Sequence, residues 1–265
     1  MEWRNGPQAR SSGFDVLRDR LPRAIAARLA RAGCMAEPAV AGSERSVDAS
    51  QRAPQRALPD RWSRDVFELI EWRRFEAVVE ALFAQAGFET RSQPHGADGG
   101  VDIWLYAANH AEGDAPVGIV RCTQWTRQKV GVNDVRELCG VMAQHSIARG
   151  QFVTTSDFSA EAREFAAGNG IGLHDVDGLL QLIASREPGQ QQALLRVAFE
   201  GDWWRPTCAS CGIKLVERTA REGGRAFWGC ENDPRGCRTK MAMRLDPRGD
   251  LPVDVRGHDL RTARR

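Results

Sequence analysis

The sequence contains no long apolar run, and its charges are nearly balanced. No segment reaches the roughly 18 consecutive apolar residues that a membrane-spanning helix requires. We therefore expect no membrane association. A formal net charge of +2 over 265 residues does not by itself predict nucleic-acid binding, so any such function must depend on local clusters of charge.

Lysine and tyrosine are nearly absent from the sequence. Tyrosine occurs once, as Tyr106, and lysine occurs only as Lys129, Lys214 and Lys240, so arginine supplies most of the positive charge. The N-terminus mixes acids and arginines and lacks the apolar stretch of a secretion signal. We therefore expect a cytoplasmic protein, whose seven cysteines would meet a reducing environment that favours metal ligation over disulfides.

Four of the cysteines cluster towards the C-terminus. Cys208 and Cys211 form one pair, and Cys230 and Cys237 form a second pair after an interval of 18 residues. This spacing predicts a zinc ribbon, in which two strands joined at the glycine pair 223–224 bring both cysteine pairs to one tetrahedral Zn²⁺. Because protein side chains would fill all four positions, the zinc would be structural. Disulfides are the alternative.

The chain is long enough for one full domain and a smaller module. Residues 1–60 are rich in Arg, Ala, Ser and Pro, and we expect them to be mostly disordered or linker, with one candidate helix near 15–32. For the rest of the chain we predict a main domain at 61–186, a linker at 187–205, the zinc ribbon at 206–245 and a flexible tail at 246–265.

Apolar periodicity predicts an α/β fold for the main domain. A helix with one buried side begins at Trp72 and ends at Gly87. Alternation and short apolar runs predict strands at 101–105, 117–123, 151–155 and 171–176. Further helices are predicted at 133–145, 160–167 and 179–183. Strands that alternate with helices favour a sheet joined by crossover helices.

Two carboxylates, Asp98 and Asp102, flank a glycine pair where the first of these strands begins. The glycines allow a tight turn, which directs Asp102 away from the apolar face of the strand. A carboxylate held there can bind Mg²⁺, which prefers oxygen ligands. An ordinary surface turn is the alternative, because Asp-Gly-Gly is a common turn sequence.

Five segments taken together resemble the Mrr-like restriction endonuclease domain of the PD-(D/E)XK nuclease superfamily; they lie at 75–76, 96–102, 119–125, 130–142 and 152–162. The resemblance covers about residues 72–184. It implies a restriction-endonuclease-like mixed sheet flanked by helices, and metal-dependent hydrolysis of DNA. It also implies that Asp102 binds the metal, that Asp98 is an auxiliary acid, and that Glu76 faces the site from a helix. A solvated position beside the apolar stripe is the alternative for Glu76.

The next strand departs from the family pattern. Where the family has Glu or Gln followed two residues later by Lys, this chain has Arg121 and Thr123. An arginine does not ligate Mg²⁺, and a neutral threonine supplies no positive charge to a phosphate. Only Lys129, from the following loop, or Arg121 itself would provide that charge. We therefore expect cleavage to be lost or strongly weakened, which leaves an Mrr-like endonuclease and a non-cleaving DNA-binding protein as the two hypotheses.

The cysteine-rich segment 206–240 resembles the C-terminal zinc ribbons of type IA DNA topoisomerases, which bind single-stranded DNA. The resemblance makes DNA the expected partner, with contacts from Phe227, Trp228, Arg225 and Arg238. Two alternatives are that one of the two aromatic residues forms the core of the ribbon, and that the ribbon binds a protein. Nuclease domains that cut both strands often pair, but no part of the sequence marks a homodimer interface.

Overall fold

The structure, a computed structural model, describes residues 57–92, 100–125, 128–219, 226–233, 236–245 and 252–254. These residues all belong to one compact unit, which spans Glu44–Arg265. The candidate helix near 15–32, Asp98, Arg225 and the strand-joining turn at 223–224 lie outside the described residues. No helix in the described ranges is long and apolar enough to cross a membrane.

A five-stranded mixed sheet forms the centre of the main domain. Its strands are β1 (Glu89–Ser92), β2 (Ile103–Tyr106), β3 (Gly118–Thr123), β4 (Gly150–Thr154) and β5 (Ile171–His174), and they lie in sequence order. The first three strands pair antiparallel, and β3, β4 and β5 pair parallel. The helices are α1 (Arg64–Leu69), α2 (Trp72–Gln85), α3 (Val132–Gln144), α4 (Ala160–Gly168), α5 (Val176–Ala184) and α6 (Pro188–Ala198). The predicted α/β class, a mixed sheet flanked by helices, is confirmed.

Helix α2 forms where the apolar periodicity predicts it. The helix starts after Glu71, whose side chain accepts the backbone N–H of Arg73 and so satisfies one of the free amides at the helix start. Its buried stripe consists of Phe75, Val78, Val79, Leu82 and Phe83. The chain then turns at Gly87, whose φ of 94° favours glycine.

Both faces of the sheet are covered, and this changes the environment of β2. Alternation along β2 places Trp104 on the face opposite Ile103 and Leu105, and Trp104 is nevertheless only 8% exposed. It packs with Ile119 and Phe152 in the core beneath helices α3 and α4, while α2 covers the opposite face of β3. A sheet that carries helices on both sides has no polar face.

The parallel half of the sheet is built from crossover units. Helix α3 connects β3 to β4, and α4 connects β4 to β5, as the sequence predicts. Ser159 caps α4, because its side chain accepts the backbone N–H of Ala162 at 3.1 Å. These parallel connections bring the ends of β3 and β4 to one edge of the sheet, next to the start of β2.

The segment predicted as a linker at 187–205 contains helix α6 instead. Leu194, Leu195 and Ala198 of this helix are buried, and the helix packs against α2. Pro188 stands in its first turn, where a missing N–H costs nothing. The segment resembles a linker in sequence because three glutamines precede its short apolar stripe.

The cysteine-rich segment forms a second, antiparallel sheet. It consists of β6 (Leu215–Thr219), β7 (Ala226–Cys230), β8 (Lys240–Leu245) and β9 (Pro252–Asp254) in sequence order. The predicted pairing of two strands between the cysteine pairs is confirmed, with Leu215 opposite Cys230. A small core of Leu215, Trp228 and Met241 packs against three of the cysteines.

Candidate active site and metal centre

Two of the predicted acids lie near the start of β2. Asp102 directly precedes this strand, and its Oδ2 accepts the backbone N–H of Cys122 at 2.6 Å. Glu76 is 6% exposed on α2. Its Oε2 accepts a hydrogen bond from Nη1 of Arg73 at 2.6 Å, so this arginine places a positive charge against the helix acid.

The electrostatics show that Asp102 and Glu76 influence each other. Burial raises the pKa of Glu76 well above its usual value, and the negative charge of Asp102 raises it further. The positive charge and hydrogen bond of Arg73 act in the opposite direction. The structure therefore brings these two acids close enough for the charge of Asp102 to favour the protonated form of Glu76.

The side of β3 that faces these acids carries Cys122. Burial raises the pKa of the Cys122 thiol well above its usual value, and the charges of Asp102 and Glu76 add to the effect. Gln124 closes the same side, because its Nε2 donates to the carbonyl oxygens of Phe67 at 2.8 Å and Ile70 at 2.7 Å. Neither Cys122, Gln124 nor Arg73 is predicted from the sequence as a site residue.

Arg121 and Thr123 lie on the other side of β3, because side chains alternate along a strand. Nη1 of Arg121 lies 2.9 Å from Oε2 of Glu137 on α3, and its guanidinium stands over the ring of Phe152 at 5.8 Å. Thr123 is half-buried, opposite Thr154 of β4. The structure thus separates this pair from the acids with which the family pattern associates them.

Lys129 forms an exposed ion pair at the edge of the sheet. Its Nζ lies 2.8 Å from Oδ2 of Asp157, and the side chain of Lys129 is 64% exposed. Hydrogen bonds from Lys129 and Arg163 lower the pKa of Asp157 to about 2. Lys129 is therefore engaged by a carboxylate in the loop after β4 rather than by the acids of β2 and α2.

The four predicted cysteine ligands meet at one point. Sγ of Cys208 lies 3.5 Å from Sγ of Cys237, and Sγ of Cys211 lies 3.4 Å from Sγ of Cys230. All four sulfur atoms lie within 4.8 Å of one another. Thiolates bound to one tetrahedral Zn²⁺ lie roughly 3.8 Å apart, so the donor set fits such an ion. The distances are too long for disulfides, whose sulfur atoms lie about 2.05 Å apart.

Among the residues that the structure describes, this cysteine cluster is the one group of three or more ligands gathered for a metal. Asp102 and Glu76 supply two carboxyl groups in the main domain, and the third predicted acid, Asp98, is outside the described residues. The ribbon therefore presents all four of its predicted ligands, while the described part of the main domain presents two of its three predicted acids.

The two aromatic residues of the ribbon have opposite environments, because they are neighbours on β7. Trp228 is 2% exposed and belongs to the core of the ribbon, so the prediction that it stacks on bases is wrong and the alternative holds for this residue. Phe227 is partly exposed, with Nζ of Lys240 5.6 Å from its ring centroid. Arg238 is exposed as well.

Comparisons with known proteins show relatives of parts of this chain. One curated relative is the type IV methyl-directed restriction enzyme EcoKMrr of Escherichia coli (strain K12), which is 34% identical over 79 residues. Another is the uncharacterized protein y4cE of Sinorhizobium fredii (strain NBRC 101917 / NGR234), which is 30% identical over 103 residues. The matches cover 29% and 38% of this chain. The chain spans about a quarter of the length of each relative, 26% in both cases.

Two restriction endonucleases are among the solved structures that the structural comparison found. The DNA modification-dependent restriction endonuclease AspBHI is 22% identical, with a TM-score of 0.39 over 66% of this chain and 48% of its own. The MspJI restriction endonuclease in complex with a 27-mer oligonucleotide is 17% identical, with a TM-score of 0.35 over 51% of this chain and 33% of its own. In addition, residues 67–183 match the profile of Mrr_cat, a restriction endonuclease family. This match supports a restriction endonuclease domain of the Mrr_cat family over residues 67–183.

Proposed function

We propose that this protein binds DNA through an Mrr-like nuclease domain and a zinc ribbon, and that its hydrolysis of phosphodiester bonds is lost or strongly weakened. The observation that carries this proposal is the position of the cations. Arg121 is held by Glu137 on α3, and Lys129 is held by Asp157 in the loop after β4, so each cation is paired with a carboxylate other than the predicted metal-binding acids. Phosphoryl transfer requires stabilisation of the negative charge that develops on the phosphate.

The acids themselves also support weak catalysis. Mg²⁺, if bound, would be held by Asp102 with Glu76 and Asp98, and it would neutralise phosphate charge and activate water. A protonated carboxyl group is a poor ligand for a cation. Burial and the charge of Asp102 raise the pKa of Glu76, so Mg²⁺ would have to displace a proton from this carboxyl group in order to bind.

In the ribbon, Zn²⁺ fits the four cysteine sulfurs and would be structural, because no ligand position is left for substrate. Phe227 offers a partly exposed ring for stacking on a base, while Arg238 and Lys240 offer exposed charges for phosphates. Arg225 extends this set in the sequence. We propose single-stranded DNA as the ligand of this surface.

The test uses the full chain with supercoiled plasmid and either Mg²⁺ or Mn²⁺. We expect the protein to retard DNA in a gel but to leave the plasmid intact on both methylated and unmethylated templates; both are used because the EcoKMrr relative is methyl-directed. Asp102→Ala should bind DNA like the native protein. Metal-dependent nicking that disappears in Asp102→Ala would overturn the proposal of lost cleavage.

An active nuclease is the second candidate function, and one observation favours it. Arg73 contacts Glu76 at 2.6 Å and lies close enough to Cys122 to act on the pKa of its thiol, so it brings a positive charge to the acid-bearing side of the sheet. The double variant Arg121→Gln and Thr123→Lys separates the candidates. If only this variant nicks DNA, the two positions belong to the site and the native protein has lost the motif.

A further inference from the structure

We propose that the zinc ribbon positions helix α2, and with it Glu76, through the buried side chain of Glu71. Glu71 is then a positioning residue, and metal binding in the ribbon becomes a condition for the geometry of the nuclease site. The coupling concerns the conformation of the site, so it stands apart from whether the domain hydrolyses DNA.

The side chain of Glu71 joins the two parts of the molecule. This side chain is 2% exposed. Its Oε2 accepts a hydrogen bond from the backbone N–H of Thr207 at 3.1 Å. Its Oε1 accepts two more, from the hydroxyl of Thr207 at 3.2 Å and from Nζ of Lys214 at 3.0 Å. Both partners belong to the ribbon. A buried carboxylate of this kind is stabilised only while its donors stay in place.

The same carboxylate holds the start of α2. Oε2 of Glu71 accepts the backbone N–H of Arg73 at 3.1 Å, which satisfies one of the free amides at the helix N-terminus. Two further bonds fix this corner: the backbone N–H of Glu71 donates to the carbonyl of Trp203 at 2.8 Å, and Nε1 of Trp72 donates to the carbonyl of Thr207 at 2.9 Å. The N-terminus of α2 is therefore built partly from ribbon residues.

On the ribbon side, Thr207 and Lys214 enclose the first cysteine pair. These two residues are paired antiparallel to each other, and Cys208 and Cys211 lie on the turn between them. The turn is closed by the backbone N–H of Cys208, which donates to the carbonyl of Ile213 at 2.7 Å. A metal bound to Cys208 and Cys211 crosslinks this turn to Cys230 and Cys237 and so fixes both donors that hold Glu71.

In the main domain, helix α2 connects the contacts of Glu71 to the acids Glu76 and Asp102. Arg73, whose backbone N–H is bound by Glu71, reaches Oε2 of Glu76 with its side chain at 2.6 Å. Glu76 in turn interacts with Asp102 and with Cys122 beneath the helix. A change at the cap of α2 therefore displaces the arginine and the acid that define this side of the site.

The experiment measures the accessibility of Cys122 by alkylation of the full chain, resolved by peptide mass spectrometry. Cys139 is the internal control, because it is also half-buried but lies on α3, across the sheet from α2. We expect a zinc chelator to raise the alkylation rate of Cys122 at least about fivefold with little change at Cys139, and added Zn²⁺ to restore the protected state.

The variant Glu71→Gln should bind Zn²⁺ but expose Cys122 to a similar degree, and Zn²⁺ should not restore its protection. The matched control is Glu68→Gln, an exposed glutamate three residues earlier, which should behave like the native protein. An unchanged rate at Cys122 after chelation and in Glu71→Gln would overturn the proposal. Equal increases at Cys122 and Cys139 would also overturn it, because zinc would then hold the whole fold rather than the start of α2.

Discussion

At the scale of single residues, Glu76 shows how its surroundings alter the chemistry of a predicted ligand. The residue type and its position on α2 suit a metal-binding carboxylate. However, burial and the neighbouring Asp102 both favour its neutral form, and Arg73 opposes them. The residue is thus placed at the site but has a raised affinity for protons, with which a metal ion would have to compete.

This raised pKa predicts how stability depends on pH. The folded protein binds a proton at Glu76 at pH values where the unfolded chain, with a glutamate pKa of about 4.3, does not. The contribution of Glu76 to stability is therefore full below the unfolded pKa and declines as the pH rises towards the folded pKa. We expect Glu76→Gln to melt a few degrees above the native protein at pH 8, with a smaller difference at pH 5.

The measurement is thermal unfolding followed by circular dichroism between pH 5 and pH 8. Glu112→Gln, which changes an exposed carboxylate in the loop after β2, should follow the native protein at every pH. Parallel curves for Glu76→Gln and the native protein would show that Glu76 does not titrate differently in the folded and unfolded states.

The sequence predicts the cysteine site from residue type and spacing, and it predicts Asp102 from the turn before a strand, while Glu76 comes only from the resemblance to the Mrr-like domain. It does not tell which face of β3 meets α2. Alternation shows only that Arg121 and Thr123 share one face and that Cys122 lies on the other. Both faces of the sheet are covered by helices, so hydropathy carries no information about the side on which the acids lie.

At the scale of elements, α6 is the largest difference between expectation and structure. Helices α2 to α5 and strands β2 to β5 have clear periodicity or caps, and their predicted positions agree with the structure within a few residues. Helix α6 has only a narrow apolar stripe among glutamines, and its stability comes from packing on α2. Tertiary contacts of this kind are not visible in local sequence.

The buried stripe of α6 gives a prediction about stability. Leu194 is fully buried, so Leu194→Ala should destabilise the protein by about 2–5 kcal/mol, the usual cost of removing a large core side chain. Arg196→Ala, at an exposed position on the same helix, should change the stability by less than about 0.5 kcal/mol. Urea unfolding measures both values, and similar values for the two variants would show that α6 is not part of the core.

At the scale of the whole molecule, several cations of the main domain are paired with acids, whereas two cations of the ribbon are exposed. Arg121, Lys129 and Arg163 form ion pairs within the domain. On the ribbon, Arg238 and Lys240 are exposed. With a net charge of only +2 overall, attraction to DNA should therefore come mainly from the ribbon.

This distribution predicts the response of DNA binding to salt. Affinity for a single-stranded oligonucleotide should fall steeply between about 50 and 200 mM salt, and Arg238→Ala should reduce the slope by about 0.7. Phe227→Ala should weaken binding about tenfold or more without changing the slope, because stacking releases no counterions. Fluorescence anisotropy measures both effects. An affinity independent of salt would exclude phosphate contacts as its source.

The turn between Thr207 and Lys214 also limits how the protein can evolve. A module joined only by a tether can be exchanged by recombination, provided that it keeps its metal ligands. Here an incoming ribbon would also need a threonine directly before its first cysteine and a lysine three residues after its second, because both residues bind Glu71. Exchange of the ribbon alone would leave a charged carboxylate without its donors at the start of α2. We therefore expect the two parts to be inherited together.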